Sequence, residues 1–108
     1  MTIHSSLGSG RWHTLSLSEQ LGNIGSEVSR VRRWQGVDHS RYEGAVARAL
    51  ELLDLTVVDP RWYRGRKELA RTRELFVDAL DGGLTYHTSL DDLQQYCDSF
   101  ALRARLER

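Results

Sequence analysis

Cysteine, proline and net charge are all scarce in this chain, and each scarcity narrows the reading. A single cysteine, Cys97, excludes an intramolecular disulfide framework and fits a reducing compartment. The single proline, Pro60, leaves one Asp-Pro break in an otherwise helical pattern. Fifteen basic residues balance fifteen acidic ones, so any electrostatic attraction must come from local patches. No apolar run approaches the roughly 20 residues that cross a bilayer. The N-terminus lacks the charged-then-apolar layout of a secretion signal, and the expected location is the cytoplasm.

Recognisable chemistry is scarce too. No glycine-rich phosphate loop, zinc signature or nucleophile elbow is present. His4, His13, His39 and His87 fall in expected loops or in the N-terminal arm, with no pair at ligand spacing on one helix face. The expectation is therefore a protein without enzymatic activity, metal, cofactor, membrane contact or small-molecule substrate.

What the chain does have is amphipathic periodicity. Its 108 residues are one domain by length, and 28% charged with 40% hydrophobic residues is ordinary for a globular protein. Residues 1–10 are Ser/Gly-rich and read as a disordered arm, leaving 11–108 as the folded domain. A capping box at Ser16-Leu-Ser-Glu19 opens a first helix with Leu17, Leu21, Ile24, Val28 and Val31 on one face. A second capping box, Ser40-Arg-Tyr-Glu43, opens a stripe of Tyr42, Val46, Ala49, Leu50, Leu53 and Val57. Asp59-Pro60 stops that helix and starts the next segment, Asp as N-cap and Pro at the first helical position. A third helix runs to about Asp81 along Leu69, Thr72, Phe76, Ala79 and Leu80, and Gly82-Gly83 suits a C-cap. The fourth follows Ser89 with Leu90, Leu93, Cys97, Phe100 and Ala104. The spacing predicts an all-α fold, an antiparallel up-down-up-down four-helix bundle.

Charge is distributed unevenly along the third helix. Arg61 to Arg73 holds six bases and one acid, Glu68, while Glu74 to Asp98 holds six acids and no Lys or Arg. That order opposes the helix dipole, where a well-placed terminal charge is worth about 0.3–1 kcal/mol. In the bundle it gathers Arg11, Trp12, His13, Arg61, Trp62, Tyr63, Arg64, Arg66, Lys67, Arg103, Arg105 and Arg108 at one end. Basic side chains neutralise phosphates and aromatic faces stack on unpaired bases, so this pole is a candidate nucleic-acid surface. A solvated connector with Trp62 plugging the bundle end explains the same residues without a ligand, and an acidic protein surface fits them as well. Asp38, Asp78, Asp81, Asp91 and Asp92 are expected at the opposite pole, partly offset by Arg32, Arg33 and Arg41.

Other residues carry narrower expectations. Arg73 lies on the apolar stripe of helix three and needs a partner, Glu27 first and Asp54 second, as a structural ion pair. Ser18, Gly22, Gly25 and Ser29 form a small-residue ridge suited to close backbone approach. Leu52, Leu55, Leu102 and Leu106 point away from their own stripes and are expected at an oligomer interface. Arg33 and His39, with five residues between them, resemble the Arg-x(4–6)-His motif of the HEPN family of helical ribonucleases. That family would make this a ribonuclease, but Trp34 replaces its usual polar residue and the pair straddles a connector.

The stretches 15–28 (LSLSEQLGNIGSEV) and 48–60 (RALELLDLTVVDP) resemble a family of small uncharacterised prokaryotic helical proteins. The likeness covers most of the chain after the arm and implies no activity. In size and architecture alone the chain is also similar to the accessory variability proteins of diversity-generating retroelements. That similarity implies an oligomeric scaffold partnering a reverse transcriptase and its RNA. The leading expectation is a non-enzymatic, homo-oligomeric accessory protein that binds RNA, single-stranded DNA or a nucleoprotein enzyme. A protein–protein module, such as an antitoxin or complex subunit, is the alternative.

Overall fold

The helices form where the apolar spacing and caps place them. In the computed structural model, which describes residues 10–106, α1 spans Leu17–Trp34, α2 His39–Val57, α3 Arg66–Leu80 and α4 Leu90–Leu106. A 3-10 turn at Trp12–Thr14 precedes α1, and a 3-10 segment at Pro60–Gly65 joins α2 to α3. No strand occurs among the described residues. The expected arm at 1–10 lies outside them, except for Gly10.

Each helix packs on its neighbours in sequence, and α4 returns to α1, which closes an antiparallel up-down-up-down bundle. The radius of gyration, 13.3 Å, matches the roughly 13 Å of a compact chain of this length. Leu21, Ile24, Val28, Leu53, Leu69, Phe76, Leu93 and Cys97 fill its centre. Burying an aliphatic or phenyl side chain of this kind contributes about 1.5–3 kcal/mol.

Local chemistry explains where the helices start and stop. Ser16 and Glu19 exchange the two bonds of a capping box, at 3.1 and 2.9 Å. The second helix departs from expectation. Its N-cap is Asp38, whose carboxylate accepts from the amide of Arg41 at 3.1 Å, so Ser40 sits inside the first turn and caps nothing. The buried face of α2 is also turned from the expected stripe. It centres on Ala45, Ala49, Leu52, Leu53 and Thr56, leaving Tyr42, Val46, Leu50 and Val57 half-buried. Leu52 is thus a core residue of its own bundle and is removed from any oligomer surface.

Gly83 ends the α3 turn with φ +76°, where its amide reaches the Asp78 carbonyl at 2.8 Å. A Cβ there would lie 3.0 Å from the Thr88 carbonyl oxygen, so the position admits only glycine without a backbone shift. The small-residue ridge of α1 faces α4. Ser18 donates to the Ala101 carbonyl at 3.0 Å, and Gln94 donates to the Gly25 carbonyl at 3.1 Å. Gly22 departs from the expected close approach, because nothing lies within 4 Å of its missing Cβ.

Arg73 pairs with the second of its two expected partners. Arg73 bonds Asp54 at 2.6 Å, not Glu27. Glu27, buried on α1, is taken by Arg48 of α2 at 2.7 Å and by Arg30 on its own helix. Arg48 reaches Glu27 across the α1–α2 contact, which leaves no acceptor there for α3.

Candidate functional site

The bundle end that receives α1, the Pro60–Gly65 segment, the start of α3 and the end of α4 is built around one buried carboxylate. Asp59 caps the segment by accepting from the Arg61 amide at 3.0 Å, and Pro60 fixes the first φ. The Arg61 guanidinium then folds back onto both Asp59 oxygens, at 2.7 Å for the closest contact. His13 Nδ1 lies 3.2 Å from Oδ2. The Arg61 side chain holds the Asp59 carboxyl well below the usual range despite burial, with the Arg61 amide and His13 adding to the effect.

A chain of hydrogen bonds ties the aromatic residues to this carboxylate. Arg61 stacks 4.4 Å from the Trp62 ring, and the Trp62 indole donates to Gln20 at 2.8 Å. Gln20 in turn donates to the Trp12 carbonyl at 2.9 Å. The Trp12 indole donates to Thr56, which donates to the Leu52 carbonyl. Trp12 is fully buried, so it anchors the 3-10 turn and cannot stack on a ligand as expected from the sequence.

Arg66 resolves part of the charge puzzle. It opens α3, where a cation opposes the dipole, but its guanidinium donates to the carbonyls of Val57 and Asp59 at 2.9 and 3.3 Å. The Val57 carbonyl belongs to the last turn of α2, where a cation is favoured, and the Asp59 carbonyl opens the 3-10 segment that follows. Glu68 supplies the proper charge in the first turn of α3. At the other end of α3, Asp78 is buried instead of lying on the acidic surface. Burial works to raise its pKa, but amide bonds from Thr85, Thr88 and Tyr86 outweigh that and hold the carboxyl below its ordinary value.

Several cations remain without such duties. Arg11, Arg64, Lys67 and Arg105 are exposed and have no carboxylate partner among the described residues. Arg64 lies over the ring of Tyr63, which is 63% exposed. Between α1, the 3-10 segment and α4 runs a groove of about 290 Å³. Leu17, Trp62, Phe100 and Ala104 supply apolar wall, and Arg61, Arg64, Glu68 and Arg103 supply charge. Arg103 bonds Glu68 at 2.5 Å, and the Tyr96 hydroxyl donates to the same oxygen at 3.3 Å. Burial pushes the Tyr96 pKa up, with the Glu68 charge adding to it, so the phenol stays a donor.

The structure therefore brings Arg61, Trp62, Arg64 and Arg103 together on one groove. Tyr63, Arg66 and Lys67 are exposed on the same connector and the start of α3. Arg105 lies beside Ser18, Gly22, Asp98, Ala101 and Leu102, in the adjacent α1–α4 furrow. Arg108 lies outside the described residues. Glu68, Phe100, Gln20 and Asp59 complete the site and were not among its sequence candidates; the one signal for Glu68 was its isolation among six bases. Of the leucine patch, Leu55 is half-buried against the core, while Leu102 and Leu106 are 47% and 72% exposed.

The opposite pole offers less. A cleft of about 690 Å³ lies beside Arg32, Gln35, His87 and Asp91, but Arg32 and Asp91 pair with each other. Trp34 lies 4.6 Å from the Arg41 guanidinium, and Asp38 is engaged as the α2 cap. His39 opens α2 and contacts Glu43 at 2.6 Å, while Arg33 sits in the last turn of α1, so the two straddle the connector. Cys97 is buried and its pKa is pushed up to about 12 by burial, which makes it a core residue and a poor nucleophile. Among the described residues no three His, Cys, Asp or Glu side chains cluster closely enough to hold a metal ion. No helix among them is long and apolar enough to cross a membrane.

No family model matches the chain, and no curated protein or solved structure matches it significantly. The site's own chemistry is what bears on function.

Proposed function

We propose that the basic pole binds unpaired nucleic acid, RNA or single-stranded DNA, and that the chain acts as a non-catalytic accessory or scaffold protein. One observation carries the reading. Exposed Arg64, without a carboxylate partner, lines a groove walled by Trp62 and Phe100, and exposed Tyr63 and Lys67 lie on the same connector and the start of α3. Cations next to aromatic faces suit a strand whose phosphates and bases are both accessible. A duplex would present its phosphates but keep its bases stacked. The architectural likeness to retroelement accessory proteins adds a reverse transcriptase with its RNA as the nucleoprotein partner of this proposal.

Fluorescence anisotropy with labelled single strands across a salt series tests it. Binding weakens with salt, with a log–log slope of about −0.7 per phosphate contacted. Arg64→Ala with Lys67→Ala lowers affinity and flattens that slope by about 0.7 per lost contact. Affinity unchanged by the double substitution, or no binding at any salt, overturns the proposal.

Self-association is a second reading, favoured by the exposure of Leu102 and Leu106 one turn apart on α4. Sedimentation of the wild type and of Leu102→Asp tests it, and a wild-type monomer at all concentrations rejects it.

A further inference from the structure

The groove contains an acid that phosphate binding does not use. Glu68 stands in its wall among Arg61, Arg64 and Arg103, and its two oxygens are used unequally. Oε1 accepts from Arg103 and from Tyr96, at 2.5 and 3.3 Å. Oε2 accepts from no described residue, and the side chain is 35% exposed. A carboxylate offers acceptors and no donor, and it repels phosphate. In a cationic groove it selects instead for N–H groups on the ligand.

We infer that this groove takes one unpaired guanine base, with Glu68 and Arg103 reading its Watson–Crick edge and Trp62 beside its ring. The inference rests on the nucleic-acid reading above. Guanine is the base whose edge sets two N–H donors, N1 and N2, beside a carbonyl oxygen, O6. The donors match the open side of Glu68, and O6 matches the guanidinium that Glu68 holds in place. Uracil sets one N–H between two carbonyl oxygens, so a carboxylate there meets repulsion. Adenine and cytosine each place a ring-nitrogen acceptor beside the amino group, and that nitrogen repels the one open oxygen, Oε2. The apolar side chains of Leu17 and Phe100 suit the base's flank.

Anisotropy with the full chain decides the matter. The probes are short labelled oligouridine strands carrying one central G, A or C, the all-U strand, and the deoxy counterparts. The G strand binds about tenfold tighter than the others, as expected for one good bidentate base contact. The same preference holds in the deoxy series, because the base edge is common to both. A preference confined to ribose strands overturns the edge-reading assignment. Glu68→Gln brings the G strand to within about twofold of the all-U strand, with circular dichroism reporting on the fold. Should that variant unfold, Arg103→Lys, which keeps the charge but loses the planar fork, still lowers the G preference. Equal, salt-sensitive affinity for every strand rejects the guanine assignment alone. Absence of binding to every strand rejects the nucleic-acid reading with it.

Discussion

Trp62 donates its indole N–H to the side-chain oxygen of Gln20 across 2.8 Å, joining the connector between α2 and α3 to the first turn of α1. Gln20 is fully buried and its amide nitrogen serves the Trp12 carbonyl, so one glutamine fixes two tryptophans. Replacing it with an apolar residue leaves the buried Trp12 carbonyl and the half-buried Trp62 indole unpaired. Gln20→Leu is expected to lose about 2–4 kcal/mol of stability. Urea unfolding followed by tryptophan fluorescence measures the loss, and an unchanged midpoint would show that water serves both partners.

Asp59 sets the acid limit of the basic pole. Its pKa is depressed in the folded state from an ordinary value of 3.8, so its stabilising effect is present above that value and fades as pH falls toward the folded one. Asp59→Asn is expected to cost about 1–3 kcal/mol at neutral pH. The gap between wild type and variant should narrow below about pH 4, where Asp59 of the unfolded chain begins to bind a proton while the folded carboxylate still resists one. Paired urea titrations at pH 7 and pH 3 check this; a gap that is constant with pH contradicts the assignment.

Asp78 organises the loop between α3 and α4 through the amides of Thr85, Tyr86 and Thr88. Asp78→Ala leaves all three amides without their acceptor at once and is expected to destabilise the protein by about 2–4 kcal/mol. Hydrogen exchange should show those three amides losing protection before the core of α1 does. Uniform loss across the chain would mean that loop and bundle unfold as one unit.

Gly22 and Gly25 share a helix, and each has room for the methyl of alanine. At Gly22 the added methyl meets open space, so Gly22→Ala is expected to gain about 1 kcal/mol from helix propensity. That gain corresponds to a Tm rise of about 4–8 °C for a domain near this size. At Gly25 the methyl would sit at ordinary contact distance, 3.4 Å from Gln94 Nε2 and 3.5 Å from Asp98 Oδ1, so Gly25→Ala is expected to keep the gain while packing against α4. Thermal melts of the two variants check this, and a fall in Tm at either position contradicts it.

The bundle was legible because its signals are local. Ser16 and Glu19 lie three residues apart, Asp59-Pro60 both ends and starts a segment, and Gly82-Gly83 closes α3. Where two local signals competed, the sequence was ambiguous. Asp38 and Ser40 are both good caps, and the chain turns at Gly36 with φ +75° in time for the first to win. Long-range partners were beyond reach. The burial of Trp12 depends on Thr56, 44 residues away, and the loss of Glu27 to Arg73 depends on Arg48 arriving first across α1–α2. The candidate site was half legible for the same reason. Its cations cluster in sequence, whereas Glu68 acquires its meaning only when α4 brings Arg103 and Tyr96 beside it.

The Ser18 hydroxyl on the Ala101 carbonyl places the entry of α1 alongside the last turns of α4. The polypeptide thus enters and leaves the bundle at one end, the end that carries the groove. A ligand fused through a short flexible link at Gly10 or Leu106 is confined to the same small volume as that groove, at an effective concentration of about millimolar. A weakly binding peptide or domain attached at either point competes there as though it were abundant, so fusions made at the two termini will report on the groove, and those made in the 81–89 loop will not.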